Sequence, residues 1–196
     1  MKIYFVRHGE ALDDVRNEYG GWANAELSGK GSSQVEERAK DLVHRDTKAE
    51  IILSSPFKRA RQSANIIARE LSLPVEEDVY LKERNTYGLL CGVNKVEAES
   101  KYSELVAAYE NDRPVFGYES YAFLLERVRA LVKRLAQLEY EVMICVTHGK
   151  LLKALLEDVV GGAKIDKLGD ACLVVVGLGK DGSLKLLETD NVTLKS

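Results

Sequence analysis

The chain has 196 residues, of which 45% are hydrophobic and 30% charged, and a formal net charge of -3. That balance supports one domain of ordinary size with a buried core, and it excludes a disordered or collagen-like chain. No basic excess points to nucleic acid or an anionic membrane, and the longest apolar run, Ala171-Cys-Leu-Val-Val-Val-Gly-Leu178, falls far short of the about 20 residues that cross a bilayer.

Residues 2–6 are an apolar run and predict a buried strand. Arg7-His8 follows at once, so the run is not the core of a signal peptide. Residues 9–29 carry Gly9, Gly20, Gly21 and Gly29 and predict a long loop. A helical charge pattern covers 34–43, and 51–53 is a second buried strand. Ser55-Pro56 then supplies an N-cap and first turn for a helix through Arg59, Ile66 and Leu71 that stops before Pro74. A weaker strand follows at 75–79, then a polar surface helix over 93–111. Residues 118–138 predict a long helix with apolar positions at Phe123, Leu124, Val128, Leu131, Val132 and Leu135. The strand 142–146 ends at Thr147-His148-Gly149, and a helix over 151–160 follows. Strands at 172–176 and 184–187 close the chain, with Lys180-Asp-Gly-Ser183 as a hairpin turn. This alternation predicts an α/β three-layer sandwich with a largely parallel central sheet flanked by helices. Ligands of such sheets bind beyond the carboxyl ends of the strands.

Three predicted strands run into polar residues: Val6 into Arg7-His8-Gly9-Glu10, Leu53 into Ser54-Ser55, and Val146 into Thr147-His148-Gly149. If they are parallel, these ends share one edge, and two histidines meet Arg7 and Arg59. Histidine is a competent covalent nucleophile, and arginine suits bidentate anion binding. Two His with two Arg and no acidic cluster predict a phosphate pocket rather than a metal site. Arg59 has Lys58 and Arg61 beside it, as on a solvated basic face, but the Ser-Pro cap aims the first turn at the sheet edge and favours Arg59. His44, near a helix end, reads as a surface residue. Cys91, Cys145 and Cys172 form no C-x-x-C pair, which fits reduced thiols in a cytoplasm, with Cys145 and Cys172 in the core.

Arg7-His8-Gly9-Glu10 after an N-terminal strand resembles the nucleophile motif of the histidine phosphatase superfamily, which includes the cofactor-dependent phosphoglycerate mutases. The resemblance covers nearly the whole chain. Tyr19-Gly-Gly-Trp22 with Glu26-Leu-Ser28 and Gly31 resembles the mutase-type loop. Ser54-Ser-Pro-Phe-Lys-Arg-Ala60 resembles the segment of the second arginine. Leu81-Lys-Glu-Arg-Asn85 with Tyr87-Gly88 and Gly92 resembles the segment of the acid. Gly117-Tyr-Glu-Ser120 and Thr147-His-Gly149 complete the order. The resemblance implies His8 as nucleophile, Arg7, Arg59 and His148 as holders of the phosphoryl oxygens, and Glu83 as proton donor to the leaving oxygen. It places Asp14 against the phosphate and Gly21 and Lys95 against the substrate. It also implies one domain over 1–196 with a polar helical cap segment around 84–120.

The chain departs from the family pattern in places. Asp14 stands where the family often has Asn, and Asp13 precedes it. Lys150 replaces Asn after His148-Gly149. Residues 104–112 lack the paired arginines that mutases use for a carboxylated substrate, leaving Arg113 nearby. These departures favour a phosphomonoester hydrolase working through a phosphohistidine on His8. The alternatives are a phosphoglycerate mutase, for which 2,3-bisphosphoglycerate would be the primer, and a non-catalytic binder of phosphorylated ligands. The expected partner is a small phosphorylated substrate, without nucleic acid, membrane, metal or other cofactor, and a homodimer is compatible with this reading.

Overall fold

The computed structural model of the chain describes residues 1–111, 113–161 and 164–195. Strand β1 is Lys2–Arg7, and a loop with one short helix, α1 (Leu12–Val15), leads to α2 (Gly29–His44). Strand β2 (Ile51–Ser54), helix α3 (Lys58–Leu71) and strand β3 (Val75–Glu77) follow. Two short helices, α4 (Lys95–Lys101) and α5 (Ser103–Glu110), precede α6 (Tyr121–Leu135). Then come β4 (Val142–Thr147), α7 (Gly149–Ala154), and the paired strands β5 (Ile165–Leu178) and β6 (Leu184–Leu194).

The six strands form one sheet in the order β3-β2-β4-β1-β5-β6. The first four are mutually parallel, β5 runs antiparallel to β1, and β6 runs antiparallel to β5. Side chains alternate across this sheet, and both faces are covered. Ile3, Phe5, Leu53, Met143 and Cys145 pack with Leu124, Leu131 and Leu135 of α6 and with Leu151 of α7. Tyr4, Val6, Ile52, Ile144 and Val146 face the other way, against Val35, Ala39 and Leu42 of α2 and Ala60, Ala64 and Ile67 of α3. The result is the expected α/β sandwich of helix, sheet and helix. Each fully buried aliphatic or aromatic side chain stabilises it by about 1.5–3 kcal/mol.

Several boundaries differ from the sequence reading, each for a local reason. Ser28 caps α2 by accepting from the Gly31 amide at 2.9 Å, so that helix starts before residue 34. Helix α3 starts at Lys58 with Phe57 as its N-cap, and its first amides are taken up by the 9–29 loop, Lys58 N donating to Asn24 Oδ1 at 2.8 Å and Arg59 N to the Ala25 carbonyl at 3.1 Å. The polar helix over 93–111 is two helices broken at Tyr102. Helix α6 is capped by Ser120, whose Oγ accepts from Phe123 N at 3.2 Å. Phe123 points to solvent, 66% exposed, while Leu124, Val128, Leu131, Val132 and Leu135 are buried. The helix after His148 turns from α to π at Leu155. Strands β5 and β6 are much longer than expected, since their ends pair with each other and keep polar side chains at the sheet's edge. Cys145 and Cys172 are buried, and His44 is exposed.

The pairing register places the site. Arg7 lies opposite Thr147, and Ser54 opposite Val146. The His8 amide donates to the Thr147 carbonyl at 3.0 Å, and the Ser55 amide to the Val146 carbonyl at 3.0 Å. Arg7-His8, Ser54-Ser55 and Thr147-His148 therefore leave three adjacent strands side by side.

Candidate active site

At this edge lies a cavity of about 370 Å³. His8 is 5% exposed, and its Nδ1 lies 2.7 Å from the Gly9 carbonyl oxygen. A carbonyl only accepts, so Nδ1 carries the proton and Nε2 keeps its lone pair. Arg59 Nε donates to that Nε2 at 3.2 Å, which agrees with the assignment. Burial, with the charges of Arg59 and Arg7 adding to it, pushes the His8 pKa well below the usual histidine value. The ring is thus neutral and oriented near neutral pH, the state in which an imidazole can attack. Gly9 allows the fit: a Cβ there would strike the Gly31 carbonyl at the start of α2.

Arg59, 2% exposed, is fixed at all three nitrogens. Besides His8, its guanidinium donates to the Ala23 carbonyl at 2.5 Å and the Gly21 carbonyl at 2.8 Å. Gly21 has φ +63°, the left-handed region that glycine tolerates, and this backbone presents its carbonyl to Arg59. Arg61, by contrast, pairs with Glu77 at the surface. Arg7 donates to the Leu168 carbonyl at 2.6 Å and pairs with Asp170 at 3.2 Å, both on β5. Its Nε is buried without a partner among the described residues.

His148 is wholly buried and does not line the cavity. Its ring stands edge-on to His8 with centroids 4.9 Å apart. Its Nε2 lies 2.7 Å from Ser55 Oγ, and its Nδ1 has no partner among the described residues. Ser55 Oγ already accepts from the Phe57 amide at 3.4 Å. Donation of the Ser55 proton to Nε2 satisfies both groups and leaves Nδ1–H as one unused donor; the reverse would strand a hydroxyl proton and a ring lone pair together. Burial and the nearby Arg59 lower the His148 pKa well below the ordinary value.

Glu83, 8% exposed, lines the cavity. Its Oε1 accepts from the Arg84 amide at 2.8 Å and its Oε2 from the Lys150 amide at 3.2 Å. Trp22 anchors the same segment by donating its indole N–H to the Glu83 carbonyl at 2.7 Å. Asp14, Gly21 and Lys95 also line the cavity, as does Tyr87. The ionisable lining comprises the basic Arg7, Arg59, Lys95, Lys150 and Lys153 and the acidic Asp13, Asp14, Glu18, Glu83 and Asp166. Among the described residues, no three His, Cys, Asp or Glu side chains are grouped to hold a metal ion.

Every residue that the sequence pointed to is thus in or directly behind one cavity. Sequence reasoning missed Ser55 as a partner of His148, because Ser-Pro reads as a helix cap. It also missed Leu168 and Asp170 as the supports of Arg7, since a sequence separation of more than 160 residues leaves no local signal.

A family model described as histidine phosphatase superfamily, branch 1, matches residues 3–189. The chain belongs to the histidine phosphatase superfamily. Within the superfamily it is 35% identical over 107 residues to a 2,3-bisphosphoglycerate-dependent phosphoglycerate mutase from Streptococcus mutans, a match spanning 53% of this chain and 46% of the mutase. A structure from Escherichia coli bearing the name α-ribazole-5'-P phosphatase superposes with a TM-score of 0.81 at 20% identity, covering 97% of this chain and 96% of the other. A mycobacterial glucosyl-3-phosphoglycerate phosphatase superposes with a TM-score of 0.75 at 23% identity, covering 94% and 96%. No helix among the described residues is long and apolar enough to cross a membrane.

Proposed function

We propose that the chain hydrolyses a small phosphomonoester through a phosphohistidine on His8. The observation that carries this reading is the His8 ring: Nδ1–H is tied to the Gly9 carbonyl, and the Nε2 lone pair lies 3.2 Å from the Arg59 guanidinium. A phosphoryl group arriving at Nε2 meets its counter-charge there.

In the first step, Nε2 attacks phosphorus and the ester P–O bond breaks. Glu83, in its acid form, gives its proton to the leaving oxygen. Arg7 and Arg59 hold the equatorial oxygens, and the unused Nδ1–H of His148 donates to one of them. In the second step, water attacks phosphorus and the P–N bond breaks. Glu83 takes the water proton, His8 regains its lone pair, and phosphate leaves. The chemistry needs no cofactor.

The acidic lining supports hydrolysis over mutase chemistry. Asp13 and Asp14 stand in the cavity, and Arg113 is not among its lining residues. Helix α5 carries no arginine. A substrate carboxylate therefore meets Lys95 but no arginine clamp. The mutase relative and Lys95 favour the second reading, in which 2,3-bisphosphoglycerate primes the enzyme. Product partitioning with 3-phosphoglycerate, with and without that primer, tests the choice. Hydrolysis predicts phosphate release independent of the primer. Isomerisation outrunning hydrolysis by more than about tenfold, a barrier gap of about 1.4 kcal/mol, would establish the mutase.

A further inference from the structure

Three buried carboxylates occur among the described residues: Asp13, Asp78 and Glu83. Asp78 accepts from the Tyr80 amide at 2.9 Å and pairs with Arg134 at 2.8 Å. Glu83 accepts from two backbone amides. Asp13, only 4% exposed, receives neither a hydrogen bond nor an ion pair at its side chain from the described residues, and its Oδ1 is sealed from solvent. A buried carboxylate without a donor is costly, so such a group is expected to meet its donor in a functional state.

Asp13 lines the cavity that holds Arg7, His8 and Arg59, with Asp14 beside it in the lining. The way to its second oxygen is kept clear by Gly20, where a Cβ would stand 2.9 Å from Asp13 Oδ2. None of the cavity's lysines pairs with Asp13 or Asp14. Lys95 lies over the Tyr19 ring, Lys150 over the Tyr87 ring, and Lys153 near Glu157. Burial and the charge of Asp13 raise the Asp14 pKa, an effect that the charge of Arg7 offsets only in part. With Glu83 carrying the proton it donates, the lining sets five basic side chains against the acidic Asp13, Asp14, Glu18 and Asp166, and a bound phosphate dianion leaves the cavity net negative. A hydroxyl on the leaving group would not offset that charge, whereas an ammonium would.

We propose that Asp13, with Asp14, forms a subsite for an ammonium on the leaving group, so that the substrate is a phosphorylated amino alcohol. This proposal rests on the phosphomonoesterase reading above. The test uses the near-isosteric esters 2-aminoethyl phosphate, 2-hydroxyethyl phosphate and n-propyl phosphate, with p-nitrophenyl phosphate as a general substrate. The wild-type protein should favour the amino ester over the propyl ester by about tenfold or more in kcat/KM, as a charge-assisted hydrogen bond implies, with the hydroxyl ester between them. Asp13→Asn should bring that ratio close to unity, and so should Gly20→Ala, which keeps the carboxylate but crowds it. Either variant carries the test if the other fails to fold. Equal rates in the wild type, a preference for the hydroxyl ester, or an amino preference that survives both substitutions would overturn the subsite. Calorimetry of the same esters with His8→Ala protein reads the subsite apart from turnover. A tenfold binding preference without hydrolysis of any ester would break only the hydrolytic reading, whereas equal affinities would overturn the subsite alone.

Discussion

At the scale of single residues, the site works by fixing protons and charges before substrate arrives. Arg59 is the plainest case, because one planar guanidinium reaches His8, Ala23 and Gly21 together. Lysine keeps the charge but not the fork. Arg59→Lys should therefore lower kcat/KM about a hundredfold, the equivalent of about 3 kcal/mol, with the fold retained; steady-state kinetics beside circular dichroism check this. Ser55 should act through His148. Ser55→Ala removes the donor at Nε2 and frees the ring to protonate there instead. We expect kcat to fall about tenfold or more, with recovery in Ser55→Thr, which keeps the hydroxyl. The ¹⁵N shifts of the His148 ring report the cause: the proton sits on Nδ1 in the wild type and moves to Nε2 in Ser55→Ala. An unchanged ring tautomer in that variant would remove Ser55 from the positioning role.

At the scale of elements, helix α6 shows how far a sequence pattern reaches. Its periodicity identified the buried stripe from Leu124 to Leu135 but also assigned Phe123 to it, and Phe123 lies just outside the stripe, facing solvent. Leu131→Ala should cost about 2–5 kcal/mol of unfolding free energy, as cavity-forming substitutions do, while Phe123→Ala should stay within about 0.5 kcal/mol. Denaturant melts of the two variants distinguish these positions. The same reasoning explains what was legible elsewhere. Strands β1, β2 and β4 are covered on both faces, so they read as plain apolar runs, and the polar residues at their ends marked His8, Ser54-Ser55 and His148. The outer parts of β5 and β6, Ile165-Asp-Lys-Leu-Gly-Asp170 and Glu188-Thr-Asp-Asn-Val-Thr-Leu194, are rich in polar residues without strict alternation and pass for loop. The supports of Arg7 lie there, which is why Asp170 was not legible. Ser55 was legible as a serine before a proline, but a cap and a histidine partner look alike until the strands are side by side.

At the scale of the whole molecule, two buried neutral histidines couple the fold to pH. The pKa values of His8 and His148 lie well below the unfolded value of 6.5. Below pH 6.5 the unfolded chain therefore binds protons that the folded chain refuses, and stability falls as pH drops through that window. Above it the two histidines contribute no pH dependence. Thermal melts between pH 7 and pH 5 should show a falling Tm, and the slope should be shallower in His148→Gln, which lacks one of the titrating rings. Activity has its own acid limb: His8 loses its lone pair only below its lowered pKa, so turnover should persist at pH values where an ordinary histidine is already protonated. The central claim is that His8 Nε2 carries the phosphoryl group. Rapid quench of the enzyme with a ³²P-labelled phosphomonoester, followed by peptide mapping, measures it directly. The account predicts acid-labile, base-stable phosphate on His8 alone, formed and lost at rates that match turnover, and none in His8→Ala. Label on another residue, or full activity in His8→Ala, would contradict it.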